Sequence, residues 1–262
     1  MTRIFTLQSV MGVTLLQALA LLLPAADVAE RNPGPVLSLL AGALMTVLIW
    51  ENLFTWLRGR ELGFHGITTA IIVTVMCPVD LPLWQLVVAI SLGTVFGELV
   101  FGGRGFGFAS PASVSLALMI VSFPEVGLAQ PTETFALFTL PGTALLLGFG
   151  LISWRVILIV LAVVALLLAL RDGIFDPVSH AVALAFGLTF LVADPVSAAA
   201  TRAGRWLYGA LAGGLIVLFS PDGSLTPEAI VFAALLASIF APLIDHLVVL
   251  AHHRRRGARR HV

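Results

Sequence analysis

Four carboxylates lie inside long apolar stretches of the sequence. They are Glu51, Glu98, Asp194 and Asp245. A charged side chain at the centre of a bilayer costs at least ~2.5–3.5 kcal/mol on insertion scales, so it is expected to face the interior of a helix bundle and to have a partner or a function. The sequence therefore predicts an ion path that includes Asp194, Glu98 and Asp245.

Two of these carboxylates also have structural interpretations. Asp194 precedes Pro195, and this pair can cap a half-helix that begins there, with proline at its first position. An ion pair with Arg202 or Arg205 is a further interpretation of Asp194. Asp245 lies near the end of the last apolar stretch, where a proton relay or a subunit contact competes with interfacial solvation.

A glycine-rich loop is the second candidate site. It reads Phe101-Gly102-Gly103-Arg104-Gly105-Phe106-Gly107 and leads to Pro111. Glycine lets backbone N–H groups approach a ligand closely, and the N-terminus of a following helix favours an anion. The pattern predicts that Gly102, Gly103, Arg104 and Gly105 bind a flavin phosphate or a quinone headgroup. A tight turn between two short helices is an equally good interpretation, and Arg104 could also pair with Glu98.

The histidines, the cysteine and the tyrosine give weaker signals. Neither His65 nor His180 has a histidine or glutamate four residues away, so neither is predicted to bind a metal. Cys77 is the only cysteine, which excludes an intramolecular disulfide. Tyr208 lies near a predicted span end, where an aromatic residue is typical of the membrane interface.

The composition requires a membrane as the solvent for these residues. Of 262 residues, 59% are hydrophobic and only 11% are charged, which is typical of an all-α integral membrane protein. A span needs roughly 20 apolar residues, and the sequence predicts about ten transmembrane helices, several of them short. The predicted spans are 4–26, 35–57, 66–80, 83–101, 110–124, 134–152, 155–171, 177–193, 204–220 and 227–251.

The basic residues predict the topology. All fourteen are arginines, and with ten spans twelve of them fall on one side, which the positive-inside rule assigns to the cytoplasm. Both termini are then cytoplasmic, and the basic tail 252–262 is predicted to anchor the chain and contact anionic lipid rather than nucleic acid. A cleaved signal peptide is the alternative for residues 1–26.

Two stretches of the sequence are similar to each other. Pro78 and Pro195 each begin a segment with a tryptophan and spaced glycines, which ends at Pro111 and Pro227 respectively. We expect a single membrane domain over 1–262, built as two inverted five-helix repeats, about 1–124 and 134–251, with broken or half helices at the centre. Chance similarity of two glycine-rich apolar segments is the alternative.

The sequence resembles a known family in two blocks. The first block comprises Gly66-Ile67-Thr68-Thr69, Pro82-Leu83-Trp84-Gln85, the glycine loop and Ser110-Pro111-Ala112; the second comprises Ala193-Asp194-Pro195-Val196-Ser197-Ala198-Ala199, Gly204-Arg205-Trp206-Leu207-Tyr208-Gly209 and Phe240-Ala241-Pro242-Leu243-Ile244-Asp245-His246. These motifs are similar to those of the NqrB/RnfD family, the membrane subunit shared by Na+-translocating NADH:quinone reductase and Rnf electron-transport complexes. Ser110 stands where the family has asparagine.

The resemblance implies a ten-helix fold distantly like urea and ammonium channels. It also implies a bacterial inner-membrane subunit that carries electrons through FMN or riboflavin, forms a Na+ or H+ path, or does both. Partners would be other membrane subunits and FMN-binding and iron–sulfur subunits. The family's Ser/Thr-Gly-Ala-Thr flavin attachment motif is absent, which leaves Thr143 as the nearest candidate. A flavin-free channel, a transporter or a membrane scaffold on the same fold is the alternative.

Overall fold

The described part of the chain forms ten α-helices. A computed structural model describes residues 10–59, 64–103, 106–107, 109–171, 176–220 and 222–258, with side chains up to residue 252. The helices are α1 (Val10–Arg31), α2 (Pro33–Arg58), α3 (Gly66–Met76), α4 (Leu83–Thr94), α5 (Pro111–Ser122), α6 (Glu133–Gly148), α7 (Trp154–Ala169), α8 (Pro177–Gly187), α9 (Arg202–Leu218) and α10 (Pro227–Ala258). The prediction of about ten helices is confirmed.

Helix length divides the bundle into long and short elements. Three helices are long and apolar enough to cross a membrane by length and composition, within Met11–Arg31, Pro33–Arg58 and Pro227–His252. Others are apolar but short, and α3 has only 11 residues. At 1.5 Å per residue such a helix reaches about 16 Å, roughly half of the ~30 Å hydrocarbon core. The prediction of half helices therefore agrees with these lengths.

Two helices end in π-helical turns. Val95–Leu99 continues α4 and Leu188–Val192 continues α8. Isolated π turns inside α-helices are rare and are frequent at functional sites. The carbonyl of Val192, at the end of the second π turn, accepts a 2.8 Å hydrogen bond from the hydroxyl of Tyr208. Tyr208 is fully buried, so its predicted place at the membrane interface is wrong: the hydroxyl has a partner inside the bundle.

The two halves of the chain pair like with like. The main contacts between α1–α5 and α6–α10 join α1 to α6 and α5 to α10, which are the first and fifth helices of each half. Such self-matching contacts are what two halves related by a two-fold axis produce. Gly142 shows how closely α6 approaches α1, since a Cβ there would lie 2.4 Å from the carbonyl oxygen of Ala20.

Glycines also set the distance between α4 and α5. A Cβ on Gly93 would lie 2.6 Å from the backbone of Ser115, and one on Gly97 would lie 3.0 Å from the Cα of Pro111. Small residues spaced by four allow membrane helices to pack at close range. This packing positions the first π turn, and with it Glu98, beside the start of α5.

Candidate functional site

A small polar cavity lies between residues of the two halves. Its lining includes residues of α1, α3, the first π turn and the start of α5, together with residues that follow the second π turn. The polar side chains in this lining are Gln17, Thr68, Thr69, Glu98, Ser110 and Asp194. The cavity measures about 30 Å³, which is room for about two water molecules and far below the ~300–1,000 Å³ of common cofactor pockets.

Asp194 enters this cavity with its carboxylate held from three sides. One oxygen accepts from Gln17 Nε2 at 3.2 Å. The other accepts from the backbone N–H groups of Val196 and Ser197, at 3.2 and 3.1 Å, and from the Ser197 hydroxyl at 3.0 Å. The side chain is buried. Because these donors favour an ionised acceptor, the geometry suits a carboxylate that keeps its charge.

The expected half-helix after Asp194 is a single turn. The N–H of Ala198 donates to the Asp194 carbonyl at 3.1 Å, but the chain does not continue as a helix. The next helix, α9, begins at Arg202 and is capped by Thr201, whose hydroxyl accepts from the Gly204 N–H at 3.0 Å. The expected capping role is therefore right in kind, and the predicted length of the capped element is wrong.

The expected ion pair of Asp194 with Arg202 or Arg205 does not form. The Nε of Arg205 donates to the carbonyl of Ala199 at 3.2 Å instead. The turn after Asp194 leads the chain toward α10, and this separates the two arginines from the cavity.

Glu98 joins the cavity to a cluster of ionisable side chains. Its Oε1 lies 2.9 Å from Nδ1 of His65, and Oε1 of Glu51 lies 3.0 Å from the same nitrogen. Neither oxygen is in line with the ring N–H, so neither contact is a linear hydrogen bond. Glu51 also accepts from the backbone N–H of Gly66 at 2.7 Å, which places a carboxylate at the N-terminus of α3, where the helix dipole favours it.

The glycine loop forms a turn whose amide groups bond to the preceding π turn. The N–H of Gly102 donates to the Leu99 carbonyl at 3.2 Å, and that of Gly103 to the Glu98 carbonyl at 3.1 Å. Both glycines have φ values, +120° and +100°, that other residues rarely adopt. The tight-turn interpretation is therefore observed. Arg104 and Gly105 lie outside the described residues, and flavin or quinone binding by this loop stays a prediction.

Thr143 lies within α6 and has two polar contacts. Its hydroxyl is 3.1 Å from the carbonyl of Thr139, four residues back, and 2.9 Å from the hydroxyl of Thr189 in the second π turn. Bonding to the preceding turn is common for helical threonine. Thr143 does not line the cavity described above, and its role as a flavin attachment site stays a prediction.

Asp245 lies apart from the cavity and holds the segment before α9. Its carboxylate accepts from the N–H groups of Ala200 and Thr201, at 2.7 and 3.0 Å, and from the Thr201 hydroxyl at 2.5 Å. These three bonds connect α10 to the start of α9. The structure gives Asp245 a clear bonding role, and its place on an ion path stays a prediction.

The structure thus brings Glu98 and Asp194 to one cavity and leaves the remaining candidates elsewhere. It also adds His65 and Glu51, which the local sequence pattern did not connect. A search restricted to neighbours four residues away cannot find this cluster, because the three residues come from α2, the turn before α3 and the end of α4. The useful signal was the presence of Glu51 and Glu98 in apolar stretches, which requires partners for both.

Comparison with known proteins agrees with this geometry. The model of the NQR2, RnfD, RnfE family matches residues 4–132 and 126–253. The NqrB subunit of the Na(+)-translocating NADH-quinone reductase of Pseudomonas paraeruginosa is 31% identical over 267 residues, covering 80% of this chain and 66% of that protein. The corresponding subunits of Ectopseudomonas mendocina and Chromohalobacter salexigens are 31% and 30% identical, over 80% of this chain.

The chain spans slightly less than two thirds of the length of these relatives. The family match, in contrast, covers nearly the whole chain in two segments, in accord with its two halves of five helices. This chain is a member of the NQR2, RnfD, RnfE family.

Proposed function

We propose that this chain is a membrane subunit of an ion-translocating oxidoreductase complex and that the cavity between its halves lies on the route of the transported ion. One observation carries the proposal: Glu98 from the first half and Asp194 from the second line the same small polar cavity. Buried carboxylates inside a membrane bundle mark ion pathways, and transporters built from repeats place such sites at the repeat interface. The relatives' names supply the class of complex.

The proposed setting is the bacterial inner membrane. The distribution of arginines supports ten crossings with both termini in the cytoplasm. Five crossings in each half would then place the two repeats in opposite orientations, as inverted repeats require. The cavity between them would be reached from opposite sides of the membrane.

The ion route requires no step through a flavin. The cavity accommodates about two waters, and the described amides of the glycine loop bond within the protein. Neither observation fits an FMN or a quinone held at this point. Electrons would pass through FMN-binding and iron–sulfur partner subunits, since the side chains of this chain include no electron carrier.

A second candidate is a flavin-free channel, transporter or scaffold of the same family. The two contacts of the Thr143 hydroxyl favour it, because a phosphoester at that oxygen would have to displace the 2.9 Å contact with Thr189. Intact-protein mass spectrometry and in-gel flavin fluorescence of the purified complex decide this point. A mass gain of one FMN that is lost in Thr143→Ala would restore the electron-carrier role.

The substitution Asp194→Asn tests the ion route. Asparagine keeps an oxygen for the N–H groups of Val196 and Ser197 and removes the charge. Opposite charges about 4 Å apart attract by ~4 kcal/mol at an effective dielectric of 20, so we expect donor-driven ion uptake into inverted membrane vesicles to fall at least about tenfold.

Asp176→Asn is the matched control. Asp176 also caps a helix, since it accepts from the N–H of Val178 at 3.1 Å, but it is exposed and does not line the cavity. We expect Asp176→Asn to leave uptake unchanged. Normal uptake by an assembled complex that carries Asp194→Asn would refute the proposed route.

A further inference from the structure

The cluster of Glu51, His65 and Glu98 does more than cap α3. Capping accounts for Oε1 of Glu51, which accepts from Gly66 N. It does not account for Oε2 of Glu51, which is buried without a partner among the described residues, or for the position of Glu98 against the same imidazole. Glu51 is 2% exposed and Glu98 is 7% exposed. An uncompensated buried carboxylate is costly, so these atoms indicate a missing positive charge or proton.

Charge counting identifies what is missing. Two ionised carboxylates around a neutral imidazole would put two negative charges into a low-dielectric site. A proton on His65 and a second proton on one carboxylate make the cluster neutral. Glu51 from α2 and Glu98 from the π turn are the ionisable groups that act on His65 among the described residues. Asp194 lies on the cavity beyond Glu98, and Arg58 of α2 donates to the carbonyl of Val100 at 3.1 Å.

We propose that this cluster is a proton relay that opens into the central cavity, and that the ion conducted by this chain is H+. The inference rests on the proposed function and specifies its ion. His65 has a 14% exposed side chain and takes up a proton from the aqueous side near the N-terminus of α3. The imidazolium transfers its Nδ1 proton to Glu98, which becomes a neutral carboxylic acid, and the next proton from the aqueous side restores the imidazolium.

The second part of the route is the cavity itself. Glu98 lines both the cluster and the cavity, and about two waters fit between it and the other polar groups of the lining. Glu98 releases its proton to this water, and Asp194 accepts it at the other half of the chain. Chains of Asp, Glu and His are the usual proton relays of membrane pumps.

The chemistry of the cluster favours H+ over Na+. A hard cation takes oxygen ligands, and here an imidazole nitrogen lies about 3 Å from each carboxylate, in the place where a cation would have to sit. When protonated, that ring repels Na+. A proton needs only a continuous set of donors and acceptors at hydrogen-bond distance, which the cluster supplies.

Inverted membrane vesicles that contain the intact complex provide the first test. With NADH as the donor, we expect acidification of the vesicle interior that does not require Na+. His65→Gln should lower the initial rate of acidification at least about tenfold, in line with the usual contribution of a proton-transferring side chain. His180→Gln is the matched control: His180 lies outside the cluster, near the Asp176 and Gly223 carbonyls, and we expect it to acidify like the wild type.

The same vesicles separate failure of the relay from failure of the ion route. Uptake of radioactive Na+ that is lost in Asp194→Asn but unchanged in His65→Gln would overturn the relay and leave the proposed function intact. Uptake of either ion that is unaffected by Asp194→Asn would overturn both. If His65→Gln fails to assemble, Glu51→Gln replaces it, because the amide oxygen can still accept from Gly66 N.

A spectroscopic test requires no donor. The purified full chain in lipid should show the infrared carbonyl stretch of a buried carboxylic acid, which disappears as the pH is raised and is missing in either Glu51→Gln or Glu98→Gln. The band should be the same in NaCl and in KCl. Absence of the band from the wild type, or its loss when Na+ replaces K+, would overturn the proposal.

Discussion

The contact between Asp245 and the segment before α9 gives a quantitative stability prediction. The carboxylate accepts three hydrogen bonds, from the N–H groups of Ala200 and Thr201 and from the Thr201 hydroxyl. A hydrogen bond to a charged group contributes ~1.5–3 kcal/mol. Because Ala200 is exposed, water can replace part of each bond, and we take ~1 kcal/mol for each. Asp245→Ala should therefore lower the free energy of unfolding by about 3 kcal/mol.

Gly204→Ala should break the same contact from the other side. A Cβ on Gly204 would lie within 2.5 Å of both Asp245 Oδ1 and the Thr201 hydroxyl oxygen, so the carboxylate has to move away. Alanine gains ~1 kcal/mol of helix propensity over glycine, which leaves a net loss of about 2 kcal/mol. In the Asp245→Ala background the clash with the carboxylate is gone. The double variant should then be more stable than the sum of the two single losses by about 1–3 kcal/mol.

Unfolding by SDS titration in mixed micelles, followed by tryptophan fluorescence, measures these losses. Gly214→Ala is the matched control, because it is the same substitution in the same helix and has nothing within 4 Å of the added Cβ. It should be neutral or stabilising by up to ~1 kcal/mol. Strict additivity of Gly204→Ala and Asp245→Ala would refute the shared mechanism. An Asp245→Ala variant of wild-type stability that lost ion uptake would instead support the predicted ion path.

Three further substitutions test the packing of the bundle by the same titration. Gly93→Ala forces α4 away from the backbone of α5 and should cost about 2–3 kcal/mol as an overpacked contact. Tyr208→Phe removes the donor to the buried Val192 carbonyl and should cost about 1–3 kcal/mol, and a loss below ~0.5 kcal/mol would mean that water reaches this carbonyl. Gly142→Ala places a Cβ against the carbonyl of Ala20 and should also cost about 2–3 kcal/mol, whereas an unchanged midpoint would contradict the observed approach of α6 to α1.

The sequence located the helices well because their boundaries have local causes. Proline stands at the first helical turn of four of them, namely α2, α5, α8 and α10, where its missing N–H costs nothing. Apolar runs of defined length fill the space between these signals. For this reason most predicted spans agree with the observed helices to within a few residues.

The contacts of the site depended on distances between segments that are remote in sequence. His65 looked isolated because its partners, Glu51 and Glu98, are 14 and 33 residues away and approach it only through packing of α2, α3 and α4. Gly66 allows this approach, since a Cβ there would collide with a side chain of α2. Asp194, in contrast, carried a local signal in the proline that follows it, and its capping role followed from that signal.

The two carboxylates of the cavity are not copies of each other. When the segments that begin at Pro78 and Pro195 are aligned, the counterpart of Asp194 is Cys77, a buried thiol, rather than Glu98. The π turns differ in the same way, since one follows α4, the fourth helix of its half, and the other follows α8, the third. Each half therefore reaches the cavity through a different element. Glu98 adjoins an imidazole that can exchange a proton with it, whereas Asp194 is held by backbone donors that favour its ionised form. A route with a donor at one end and a fixed acceptor at the other needs this asymmetry, which two identical repeats could not provide.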